Sequence, residues 1–318
     1  MATQSLITTH VDVALREELS NVLTNIDPVE TPFISNIGKG KTSSYKTEWL
    51  TDTLATAAYN QQNEAAAANA AAIGAGARLV NYITVSAKWF DISDVLEAAD
   101  TAGQMGKISY QTAKALKELA RDMEFNLINE DEADGTTAQY KTKGLKGWLP
   151  NGCTNHYHFG DSGATTNLLT EDIFTNLQQL VWNQGGKVDM VLCSSAQKRK
   201  ISAFNGANRL TVNTDMTNKK IMNVVDFIEN DFGVARVYLE RHIATEAANG
   251  TEDATATGLY DWIFFLQKDM WKLLTMLPVK VEKLARNGLS QQVQISTTYT
   301  LRCGTEKANG SIRYAYNA

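Results

Sequence analysis

The sequence predicts an α+β protein built as one large or two interleaved domains, and three observations carry that prediction. A single helical period runs from Lys107 to Asn129 with no Gly or Pro inside it. Period-two alternation marks strand-like segments on either side of that helix, at 45–50, 79–89, 289–302 and 311–316. From Leu168 the texture changes to short helices and strands in alternation, which reads as a small α/β unit.

Composition bounds the function. The chain has 318 residues, 43% hydrophobic and 20% charged, with a net charge of −5. That is ample for a buried core and argues against wrapping nucleic acid in lysines, which requires neutralising many phosphates. No apolar run approaches the roughly 18 residues needed to span a bilayer, and no basic segment with an apolar signal core opens the chain. The reading is a soluble protein made in the cytoplasm, with no membrane partner. Cys153, Cys193 and Cys303 are widely spaced and odd in number, which fits reduced thiols.

In chain order, Val11, Ala14, Leu15, Leu19, Val22 and Leu23 predict a short amphipathic helix. Pro28, Pro32, Gly38 and Gly40 then predict an irregular extended arm, held to some other surface by Phe33, Ile34 and Ile37. The segments 45–50 and 79–89 are expected to pair as an antiparallel hairpin. Its tip is long, with an Ala-rich run at 65–72, and should project away from the core.

The helix that follows, about 107–129, places Ile108, Ala115, Leu116, Leu119, Met123 and Leu127 on one face. About 23 residues at about 1.5 Å each make a rod of about 35 Å, long enough to serve as a spine. Thr170 caps a second helix that stops at Gly185-Gly186, a short strand follows at 188–192, and Ser194 or Ser195 caps a third, basic helix. Strands are expected at about 220–228 and 234–239, joined by the Asn230-Asp231-Phe232-Gly233 turn, then at 259–266 and 273–277, before the long terminal strands.

Motifs for chemistry are weak. Gly38-Lys39-Gly40-Lys41-Thr42 resembles the end of a phosphate loop, but Ser35 stands where the motif needs Gly, and the context is an arm rather than a strand leading to a helix. Cys153, His156, His158 and Asp161 are close in sequence, yet no second ligand pair exists for structural zinc. No G-x-S-x-G surrounds a serine. No catalytic, cofactor or metal residue is assigned.

The run Pro28-Val29-Glu30-Thr31-Pro32-Phe33-Ile34, then Gly38, then Tyr45 to Trp49 and Asp52, together with the order of parts, resembles a major capsid protein of a tailed bacteriophage with the Hong Kong 97-type fold. The resemblance implies an N-terminal arm at 1–41, an extended hairpin loop at 42–95, a peripheral domain at 96–165 and 276–318 carrying the spine helix, and an axial domain at 166–275. It implies a structural protein rather than an enzyme, which self-assembles as hexamers and pentamers into an icosahedral shell enclosing double-stranded DNA. Portal, scaffold and decoration proteins would be its partners, DNA would lie near it without specific contacts, and it would be assembled in the host cytoplasm into the virion. No long charged segment precedes the arm and the chain opens on Met1, so an uncleaved chain with a separate scaffold or none is expected.

The expected inter-subunit contacts are the aromatic and apolar residues of arm and hairpin: Phe33, Ile34, Ile37, Tyr45, Trp49, Tyr82 and Trp89. A capsid subunit should leave arm and hairpin without cover from its own chain. Two alternatives are a cellular nanocompartment shell of the same fold and an α/β enzyme with a site near Ser194 and His242.

Overall fold

The computed structural model describes residues 30–55, 57–59, 61, 63–64, 76–99, 106–150, 155–158, 168–204, 226–246, 252–253, 260–286 and 288–316. The helix expected at 11–23, the Ala-rich run at 65–72, Cys153 and Asp161 lie outside them, as does most of the strand expected at 220–228.

The chain opens with α1 (Pro32–Asn36), β1 (Gly38–Lys41), β2 (Lys46–Thr51), β3 (Ala77–Tyr82), β4 (Thr84–Ser93), α2 (Asp94–Ala98) and the spine, α3 (Lys107–Asn129). It continues through α4 (Leu145–Trp148), β5 (His156–His158), α5 (Glu171–Asn183), β6 (Met190–Cys193), α6 (Ser195–Ala203), β7 (Phe227–Asn230) and β8 (Gly233–Leu239). Two short strands, β9 (Thr245–Glu246) and β10 (Glu252–Asp253), precede β11 (Tyr260–Leu266), β12 (Trp271–Lys283), β13 (Ser290–Cys303) and β14 (Gly310–Tyr316).

The hairpin differs from expectation. β2 pairs antiparallel with β3, with Trp49 opposite Leu79, and the Ile83 amide makes a last bond to the Tyr45 carbonyl (3.0 Å). The segment expected as one strand at 79–89 then divides. Asn81 causes the change: its amide donates to the carbonyls of Leu301 (2.6 Å) and Lys143 (3.1 Å), and its Oδ1 accepts from the Lys143 and Tyr82 amides. This buried side chain fastens the hairpin base to β13, and β4 leaves to join another sheet.

That sheet runs β1-β12-β13-β4, with β1 parallel to β12 and the other pairs antiparallel. β12 extends well beyond the expected 273–277. Its register shifts between Thr275 and Lys280, around Pro278, which lacks the N–H a regular ladder needs and so obscures the strand in the sequence. The spine helix packs on this sheet through Ala115 and Leu119, which meet Ile295 and Phe90. Leu116, expected on the inner face, is 37% exposed, because the sheet reaches only the edge defined by Ala115 and Leu119.

The second sheet runs β10-β9-β11-β6-β8-β7, with β14 on β11 and β5 on β14. Its central strands are covered on both faces, so alternate residues enter different cores. Met190, Leu192, Phe264 and Leu266 join the core containing the spine's Leu127 and Ile128. Val191, Cys193, Ile263 and Phe265 join the core under α5 with Phe174, Leu177 and Val181. Thr170 Oγ1 accepts from the Ile173 amide, Ser194 Oγ accepts from the Gln197 amide, and Gly185 adopts φ 87° after α5, so both helix starts and the stop fall at their expected residues. β5 and β14 belong to the same sheet as β6, β8 and β11, and β12 begins at Trp271.

Candidate assembly surface

The arm and hairpin residues fall into two sets. Phe33 is 0% exposed and meets Trp271 edge to face, with ring centroids 6.1 Å apart. Ile37 is buried in the same core and Ile34 packs against it. α1 is held by backbone as well: the Phe33 and Ile34 amides donate to Glu124 Oε1 (2.6 Å) and Oε2 (2.9 Å) on the spine helix. The next residues add β1 to the edge of β12, Gly38 opposite Lys272. The Gly38–Thr42 stretch is therefore a sheet edge and its end rather than a phosphate loop.

Trp49 is also buried, tilted against Trp148 at 5.5 Å with the Arg302 guanidinium 5.7 Å from its ring. The described arm and the hairpin base are thus folded on their own subunit, contrary to the expectation that they would find no cover there. Local composition could not reveal this, because Trp148, Trp271 and Glu124 lie about 90 or more positions away from the residues they cover.

The second set faces outward. Tyr45 is 50% exposed and stacks on the half-buried Tyr82 at 6.4 Å. Gly135 lets Tyr82 lie there, since a Cβ at that position would overlap the ring. Trp89 is 74% exposed. On β4, Lys88 and Phe90 turn toward the spine helix, Lys88 pairing with Asp122 at 2.7 Å, so Trp89 and Val85 lie on the opposite face. Leu50, Leu54, Tyr59, Val95, Leu277, Val279, Val281 and Leu289 are also exposed apolar residues. The sequence held a signal for Leu50, which alternates with the buried Trp49, and for Val279 and Val281, which alternate with charged residues.

The enzyme alternative is also addressed by position. Ser194, Ser195, Glu240 and His242 line one cleft of about 470 Å³ with Phe125 and Arg241. The Ser194 hydroxyl donates to Asp261 while accepting from the Gln197 amide, a structural assignment at a helix start. Cys193 beside it has its thiol pushed up to about 12 by burial, which keeps it protonated and unreactive. Burial, first, and the nearby Arg121 push the His242 imidazole below its ordinary value. His156 Nδ1 lies 2.6 Å from Ser311 Oγ, and among the described residues no cluster of three His, Cys, Asp or Glu could hold a metal.

Comparison with known proteins assigns the surface a context. A model of the SU10 major capsid protein family matches residues 2–315. Among solved structures, a chain from Mycobacterium phage Bobi aligns with a TM-score of 0.64 at 11% identity, covering 97% of this chain and 99% of that one. The capsid of a native GTA particle aligns at 0.63 and 13% identity, covering 99% and 100%. The holo-SrpI encapsulin complex from Synechococcus elongatus PCC 7942 aligns at 0.60 and 12% identity, covering 99% and 98%. No curated protein sequence matches. Those structures share the Hong Kong 97-like fold, and with the family matched over nearly its whole length, the chain belongs to the SU10 major capsid protein family.

Proposed function

We propose that copies of this chain assemble as hexamers and pentamers into an icosahedral shell that encloses double-stranded DNA, in a tailed phage virion assembled in the host cytoplasm. The observation that carries this reading is the set of exposed apolar residues on β4 and β12, Val85, Trp89, Leu277, Val279 and Val281, on a chain whose described cores are otherwise closed. Large apolar side chains left exposed together on one sheet mark a contact with another subunit. Inter-subunit contacts are assigned to Trp89, Tyr45, Tyr82 and Ile34, with Phe33, Ile37 and Trp49 supporting them from beneath. The chain is structural and catalyses nothing. An acidic subunit suits a wall against which DNA is confined rather than bound. Portal, scaffold and decoration proteins are the partners such a shell uses, and the division into arm, extended loop, peripheral and axial parts describes how each subunit meets its neighbours.

The similarity to an encapsulin favours one second reading, a shell that encloses protein cargo. Size-exclusion chromatography followed by negative-stain microscopy tests assembly: uniform shells, tubes or rings of five and six subunits support the proposal, and a monomer that never assembles refutes it. The nucleic-acid content of particles recovered from infected cells separates a virion from a cargo shell.

A further inference from the structure

Glu124 on the spine helix and Glu240, just past the end of β8, are 0% and 2% exposed and face each other across the junction of the two sheets. Two carboxylates side by side out of water repel strongly, so such a pair persists by sharing one proton. The hydrogen bonds say which group carries it. Both oxygens of Glu124 accept backbone N–H bonds, from Phe33 and Ile34, the pattern of an ionised carboxylate. Glu240 Oε1 accepts from the His242 amide (2.9 Å), whereas its buried Oε2 meets no donor among the described residues. Oε2 is therefore the oxygen left to carry the acid hydrogen. The same arm segment is tied to the second sheet, since Asn36 Oδ1 accepts from the Tyr238 hydroxyl (2.8 Å) and from Lys268 Nζ (3.4 Å).

We propose that Glu124 and Glu240 form a one-proton latch that locks residues 33–36 onto the spine helix and β8, and that loss of this proton to a base in solution releases the segment. Burial, first, and the facing Glu124 push the Glu240 carboxyl up to about 8, while burial also raises Glu124. The other charged groups around the junction are Arg121 and Asp122 on the spine, Arg241 and His242 beyond β8, and Glu30 on the arm. Burial, first, then Arg121 and Arg241 lower the His242 imidazole.

The direction follows from proton linkage. With the segment docked, Glu240 keeps its proton up to about pH 8; with it released, the solvated carboxyl approaches its ordinary 4.5. The released state binds fewer protons, so docking weakens as pH rises between those values, by up to about tenfold per pH unit, and levels off above about 8. The latch belongs to the subunit and holds whatever the shell encloses.

Amide hydrogen exchange of the purified full-length protein from pH 6 to 9, corrected for the intrinsic rate, tests it. The expected result is that protection of residues 33–37 falls at least tenfold between pH 6 and 8.5 while residues 262–266 hold theirs. Glu240→Gln, whose amide still donates to Glu124 but cannot ionise, should flatten the profile. Constant wild-type protection overturns the latch, as does a parallel fall in residues 262–266 or an unchanged slope in Glu240→Gln. If that variant fails to fold, the wild-type profile decides alone.

Discussion

Phe33→Ala and Trp89→Ala should fail in opposite ways, although both remove an aromatic ring from the region read as arm and hairpin. Phe33 is fully buried against Trp271, and truncating such a ring leaves a cavity that costs about 3–5 kcal/mol. Trp89 is 74% exposed in the subunit, so its loss there should fall within about 0.5 kcal/mol of zero. Its effect belongs to the contact. About three quarters of a Trp surface of about 250 Å² is some 180 Å², and at about 25 cal/mol per Å² a neighbour covering all of it gains at most about 4.5 kcal/mol. Denaturant unfolding of dissociated subunits measures the first quantity, and sedimentation velocity across a concentration series measures the second. Phe33→Ala should unfold at markedly lower denaturant with an unchanged slope. Trp89→Ala should unfold like the wild type yet need a concentration tens of times higher to assemble. Wild-type assembly by Trp89→Ala would remove Trp89 from the interface, and wild-type stability of Phe33→Ala would mean that the arm is not anchored by its own subunit.

Asn81→Ala should destabilise the subunit by several kcal/mol in the same unfolding assay. It leaves buried partners of its bonds to Leu301 and Lys143 unmet, at about 1–3 kcal/mol per group. Ser194→Ala removes a helix cap and the hydroxyl donated to Asp261, so a loss of about 1–2 kcal/mol with assembly retained is expected, read by thermal unfolding and microscopy. Gly144→Ala places a Cβ 2.6 Å from the Leu127 carbonyl oxygen and should lower the melting temperature, because backbone cannot move aside as a side chain can. Glu240 has a folded value above its unfolded one, so it stabilises most at low pH, and that stability is lost as pH rises from about 4.5 to about 8. Wild-type subunits should therefore lose more stability with rising pH than Glu240→Gln across that window, measured by unfolding at pH 5, 6, 7 and 8.

The sequence by itself determined what is local. The spine helix falls on Lys107–Asn129, α5 and α6 start at their Thr170 and Ser194 caps, and β7 turns into β8 through Asp231-Phe232, because periodicity, capping chemistry and turn residues act over a few positions. The order of those parts, with the Pro28–Ile34 and Tyr45–Trp49 runs, also pointed to the family. Of the seven expected contact residues, the sequence identified an aromatic region but could not sort it. Whether Trp49 or Trp89 is covered depends on Trp148 and on the side of β4 that the spine occupies. Glu124 left a faint trace, lying three and four positions before the buried Leu127 and Ile128 and so on their face, while Glu240 left none. Only the tertiary structure brought them together. Burial, strand pairing between β4 and β13 some 200 residues apart, and the proton held between two distant carboxyl groups are properties of what the chain folds against, and no local pattern encodes the partner.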